Sequence, residues 1–134
     1  MKTYLHPISR ALVALIFIMS GFGKLMAFGM TAQMMGGVGF PAPQFFLVCA
    51  IVIELFGGLA LLVGYQTRWA AAALIIFLIP ATIIFHAAHL GDPDGQMQMI
   101  NVLKNLAIMG ALLKFLADGA GAFSIDNKSA AQAV

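Results

Sequence analysis

Four stretches dominated by apolar residues divide the chain, separated by short segments rich in glycine, proline and polar residues. A helix needs roughly 20 apolar residues to cross a hydrocarbon core about 30 Å thick. The stretches near 8–28, 44–64, 68–90 and 97–116 all reach about that length. They predict an all-α fold, an integral membrane four-helix bundle. The break at 29–43 (GMTAQMMGGVGFPAP) holds helix-terminating glycines and prolines, so it predicts a loop with Met34, Met35, Val38 and Phe40 at the interface. Only Tyr65, Gln66 and Thr67 part the second stretch from Arg68, which makes spans two and three a tight antiparallel hairpin. Pro80 deprives the Ile76 carbonyl of its usual donor and predicts a kink in span three. GDPDGQ at 91–96 has the chemistry of a turn. Residues 1–126 then form one four-span domain, and 127–134 a short polar tail whose last residues are expected to be disordered.

The polar residues inside the spans interrupt this pattern and carry the chemistry. Glu54 stands at the centre of span two. An ionised carboxylate there costs on the order of 2.5–3.5 kcal/mol on insertion scales. The surrounding Leu, Ile, Val and Phe outweigh that at roughly 0.3–0.6 kcal/mol each. The span inserts, and the acid then needs a partner or a proton. Gly57 and Gly58 at i+3 and i+4, with Ala50 at i−4, put small residues on its face and predict helix packing there. Lys24, His86 and Lys104 lie within about two turns of the span ends away from the termini. Each span thus places one ionisable residue in that half of the bundle. Ser20, Thr82, His89, Asn101 and Asn105 fall at helical spacing around them. Intramembrane ionisable groups turn to the bundle interior and to one another, so Glu54 pairs with Lys104 or with an inward-bent Lys24.

Plainer readings stand beside these. Lys24 suits a residue snorkelling to the interface, and Arg10 and Lys114 suit it better. A buried ion pair can serve packing alone. His86 and His89 share a face near Asp92 and are weak metal candidates, because no third ligand is defined; no metal is expected. His6 lies at the wrong end for bis-histidine haem, and the nine methionines lack a Met-x-x-Met repeat for copper.

Composition narrows the class. At 62% hydrophobic and 9% charged the chain is too apolar for an ordinary soluble domain. Its net charge of +2 is dispersed, which argues against nucleic acid. Cys49, alone and inside a span, excludes thiol–disulfide chemistry within the chain. The N-terminal stretch lacks a clear A-x-A cleavage site and reads as a retained first span. Lys2, Arg10, Arg68, Lys114 and Lys128 fall on one side and the acids Asp92 and Asp94 on the other, so both termini are expected in the cytoplasm. Tyr65 and Trp69 then mark the cytoplasmic interface, and Phe28, Phe40, Phe45, Phe46 and Phe85 the outer one.

Six segments give the chain a resemblance to the DoxX-like small membrane proteins: SGFGKL at 20–25, GFPAP at 39–43, IELFGGLALLVGYQTR at 53–68, FHAAH at 85–89, LKNLAIMGALL at 103–113 and GAGAFSID at 119–126. The resemblance implies a four-helix, multi-pass protein of the bacterial inner membrane, arranged like the vitamin K epoxide reductase-like bundles without their cysteines. It also implies association with redox systems such as thiosulfate:quinone oxidoreductase subunits and membrane oxidoreductase complexes. Lys24, Glu54, Gly57, Gly58, His86, Lys104 and Asn105 are the motif positions present, and no catalytic residue follows from them.

Two functions fit. In the first, the polar residues bind a quinone or similar amphipathic molecule: Lys and His polarise its oxygens, and Glu54 moves a proton. The chain carries no redox centre, so electrons come from a partner or bound cofactor. In the second, the protein is a non-catalytic scaffold or assembly module. Transport ranks below both for want of an inverted repeat. The expected partners are the lipid bilayer, a membrane or periplasmic oxidoreductase, and a second copy of the chain.

Overall fold

The computed structural model describes residues 2–132, with side chains from Thr3 to Lys128. Residues 133 and 134, the end of the expected tail, lie outside it. Six helices follow in order: α1 (Lys2–Met26), α2 (Phe28–Gly37), α3 (Pro43–Val63), α4 (Thr67–Phe85), α5 (Gly95–Asp118) and α6 (Ile125–Gln132), with a 3-10 turn over Ala87–His89. α1, α3, α4 (with its 3-10 turn) and α5 are long and apolar enough to cross a bilayer. Their outward faces carry Leu12, Leu15, Met19, Phe56, Ile76, Ile83, Leu103 and Leu106, all exposed. In a chain this apolar, that belt is the lipid-facing surface.

Local signals set the helix ends. Ala42 adopts a left-handed conformation and Pro43 takes the first position of α3, where its missing N–H costs nothing. Gly64 (φ 67°) closes α3, with the amides of Gly64 and Tyr65 returning to the Leu61 and Ala60 carbonyls. α1 packs along α3, α3 on α4, and α4 on α5, whereas α1 and α5 touch only briefly. Gly58 makes the first contact close: a Cβ there would stand 2.9 Å from Ile18 Cγ1 and 3.3 Å from the Ala14 carbonyl oxygen. Gly57 faces α4, where a Cβ would meet Leu74 at 3.0 Å. Ala14, Phe17, Leu61, Ala71, Leu74 and Leu112 fill the core.

Two expectations change. The 29–43 segment is not all loop, since α2 occupies 28–37. Between Phe28 and Phe40 no proline interrupts it, and Ala32 and Met35, three apart, bury against Leu47 and Ile51 of α3. Helix formation is the cheaper way to satisfy its backbone beside lipid. The tail is helical from Ile125 to Gln132, started by Ser124, whose hydroxyl accepts the Asn127 amide at 3.2 Å.

Candidate functional site

A cavity of about 280 Å³ lies in the half of the bundle away from the termini, bounded by α1 to α5. Lys24, Glu54, His86, Lys104 and Asn105 all line it: one each from α1, α3 and the residue that follows α4, and two from α5. Ser20 joins them, and Thr31, Met34 and Met35 of α2 close one side. Most of the remaining lining is apolar: Ile16, Phe17, Leu47, Phe77, Leu78, Phe85 and Ile108.

Glu54 is 4% exposed. Its partner is Lys24, whose Nζ donates to Oε1 at 3.1 Å and stands 2.9 Å from Oε2. Ser20, one turn before Lys24, donates to the same Oε1 at 3.0 Å and accepts from Lys24 Nζ at 2.6 Å. Oε2 has the ion contact but no directed hydrogen bond. Of the two lysines the sequence offers, the structure therefore selects Lys24, which bends inward instead of snorkelling. Lys104 is exposed and donates to Asn101 Oδ1 at 3.0 Å, leaving its charge beside the cavity without a carboxylate partner among the described residues. Across the cavity, Asn105 donates to Thr82 Oγ1 at 2.9 Å, and Thr82 passes its hydrogen to the Leu78 carbonyl at 2.6 Å. Two cations and one acid make the wall net positive, which suits an electron-rich oxygen.

His86 and His89 do not converge. The helix stops at Phe85, and the 3-10 turn sends His86 Nδ1 to Gln98 Oε1 at 2.8 Å and His89 Nδ1 to Asp92 Oδ2 at 2.7 Å. His86 lines the cavity and His89 does not.

A second polar cluster, at the terminal end, escapes the sequence reading. Arg10 does not snorkel; it is 1% exposed and donates through Nη2 to the Phe123 and Ala122 carbonyls at 2.6 and 3.2 Å. Gly64 makes room for it, since a Cβ there would strike Nη1. Asp126 accepts the amides of Gln66 and Thr67 at 2.7 and 2.9 Å and so caps α4 from outside. Burial opposes ionisation of Asp126, but the Thr67 and Gln66 hydrogen bonds and the Arg10 charge overcome it and hold the carboxyl below its usual range. The visible signals were Gly64 and a Ser-x-Asp start to α6, neither of which names Arg10 as its partner.

A family model described as DoxX matches residues 6–87. Inner membrane protein YphA of Escherichia coli (strain K12) is 36% identical over 124 residues, covering 90% of this chain and 87% of the relative. Inner membrane protein YqjF of the same strain is 35% identical over 119 residues, covering 89% and 87%. A more distant relative from Bacillus subtilis (strain 168), CatD, is provisionally named an oxidoreductase; it is 28% identical over 110 residues, covering 81% and 79%. No solved structure is significantly similar to the chain.

Proposed function

The chain belongs to the DoxX family of inner-membrane proteins, and from that premise we propose that it binds a quinone or similar amphipathic molecule as a redox-associated subunit. One observation carries the reading: side chains from all four spanning helices meet at a single apolar-walled cavity. Ligand pockets run from about 300 to 1,000 Å³ and combine apolar walls with a few directed polar groups. At about 280 Å³ this one suits a ring-sized head group. A tail would leave along the loosely packed seam between α1 and α5. Lys24 and Lys104 would draw electron density from a bound carbonyl oxygen, and Glu54, already hydrogen-bonded to Ser20, would give or take the proton that accompanies its reduction or oxidation. The electrons come from a membrane or periplasmic oxidoreductase, a reading in keeping with CatD's name. Mass spectrometry of lipid-soluble molecules that co-purify with the protein is the test. A quinone recovered with the wild type and lost from Glu54→Gln, with thermal stability kept, is the expected result. Equal recovery from both, or none from either, overturns it.

The scaffold reading draws on a different observation. Lys24, Ser20 and Glu54 satisfy one another without any ligand. If packing is their whole purpose, Lys24→Leu with Glu54→Leu restores both stability and complementation of a deletion strain.

A further inference from the structure

His86 is held in one tautomer by hydrogen bonds that begin outside the cavity. The Asp94 carboxylate can only accept, so Gln98 Nε2, 2.6 Å from Oδ2, is the donor. That fixes the Gln98 amide with Oε1 turned to His86, 2.8 Å from Nδ1. An amide oxygen also only accepts, so Nδ1 carries the ring hydrogen and the lone pair of the neutral imidazole sits on Nε2. His86 borders the cavity, while Gln98 and Asp94 do not. Nδ1 is thus committed on the outer side, and Nε2 is the ring atom left to meet an occupant. The nearby nitrogens are donors: the Lys24 amine to Ser20 and Glu54, the Lys104 amine to Asn101, and the Asn105 amide nitrogen to Thr82. Glu54 Oε1 is covered by Ser20 and Lys24, and Oε2 stands against the Lys24 ammonium, 2.9 Å away, as an ion contact. His86 Nε2 is therefore a neutral acceptor on a cavity-lining residue that no neighbour commits among the described residues, whereas Glu54 Oε2 already lies against a cation.

We propose that the cavity selects the reduced, hydroxyl-bearing form of its head group over the oxidised form, with His86 receiving the hydroxyl hydrogen and Gln98 and Asp94 as positioning residues. The inference rests on the quinone reading and adds the redox state that is bound. A carbonyl oxygen placed against Nε2 sets lone pair against lone pair, whereas a hydroxyl donates to it. The oxygen on the far side of the ring accepts from a lysine ammonium in either form, so of these two contacts it is the His86 side that discriminates.

The full-length protein in lipid nanodiscs is titrated anaerobically with decylubiquinol and, separately, with decylubiquinone. The expected result is a preference for the quinol on the order of ten-fold, the scale of one made against one unmade hydrogen bond. It should vanish in His86→Phe, shrink in Gln98→Leu, and survive in Asp94→Asn, where an amide oxygen still accepts from Gln98. In parallel, nitrogen-15 NMR of histidine-labelled wild type should show His86 as the Nδ1–H tautomer, relaxing toward Nε2–H in Gln98→Leu. That readout needs no ligand and no variant of His86 itself. Tight and equal binding of both forms overturns the selectivity and leaves the quinone reading standing; binding of neither overturns both. A preference that persists in His86→Phe, or a wild-type Nε2–H tautomer, overturns the role of His86.

Discussion

Lys24 and Glu54 are unequal partners, and their substitutions should differ accordingly. The Lys24 side chain keeps 29% of its exposure and sits in the last turn of α1; that of Glu54 keeps 5% in mid-helix. With Glu54→Leu, Lys24 can straighten toward the interface and recover its hydration, so the loss should be small, about 1 kcal/mol. With Lys24→Leu, the carboxylate keeps only Ser20, and the loss should approach the roughly 3–5 kcal/mol of a broken buried pair. Denaturant unfolding in detergent micelles of the two single variants checks the asymmetry; equal losses would show that Lys24 is as confined as its partner. Much of this site was legible residue by residue, since an acid in mid-span has to find a basic group nearby. What the sequence left open was which lysine. Lys24 and Lys104 stand at similar depth, and only the side-by-side packing of α1 on α3 decides between them.

At the scale of elements, the α1–α3 contact and the docking of α6 can each be tested. Gly58→Leu forces a side chain against Ile18 and the Ala14 carbonyl. It should lower stability by on the order of 1–3 kcal/mol, read from thermal unfolding in detergent and in bilayers. Gly110, with open space at its Cβ position, should tolerate leucine far better and serves as the control. For α6, the carboxyl of Asp126 sits below its unfolded value of about 3.9. A depressed carboxyl stabilises the folded state above that value and loses the contribution as pH falls through its folded pKa. Protection of the Gln66 and Thr67 amides, measured relative to intrinsic exchange at each pH, should therefore fall below about pH 4 in the wild type. Asp126→Asn should show reduced protection already at neutral pH, with little further loss of protection on acidification. Spans were easy to anticipate because lipid imposes length and apolarity. α2 was not, because its glycines imitate a loop until Ala32 and Met35 find Leu47 and Ile51.

For the whole molecule, the basic residues argue for both termini in the cytoplasm. On a Cys49→Ser background, a single cysteine at the exposed Asn127 should resist a membrane-impermeant maleimide in intact cells, and one at Gly91 should react. The reverse pattern would invert the protein in the bilayer and move the cavity to the inner leaflet. Arg10 shows why the terminal end was harder to foresee than the cavity: its partners are backbone carbonyls, which no side-chain pattern announces. Those carbonyls also impose a timetable. Arg10 enters the membrane early, yet Phe123 follows it by 113 positions, and the Thr67 amide waits 59 for Asp126. At about 5–20 residues per second, the first interval is on the order of ten seconds of synthesis. Throughout it the newborn first helix holds a cation whose final acceptors do not yet exist, so water or the insertion machinery must shelter it. The segment that relieves the Arg10 charge is made long after the helix that carries it.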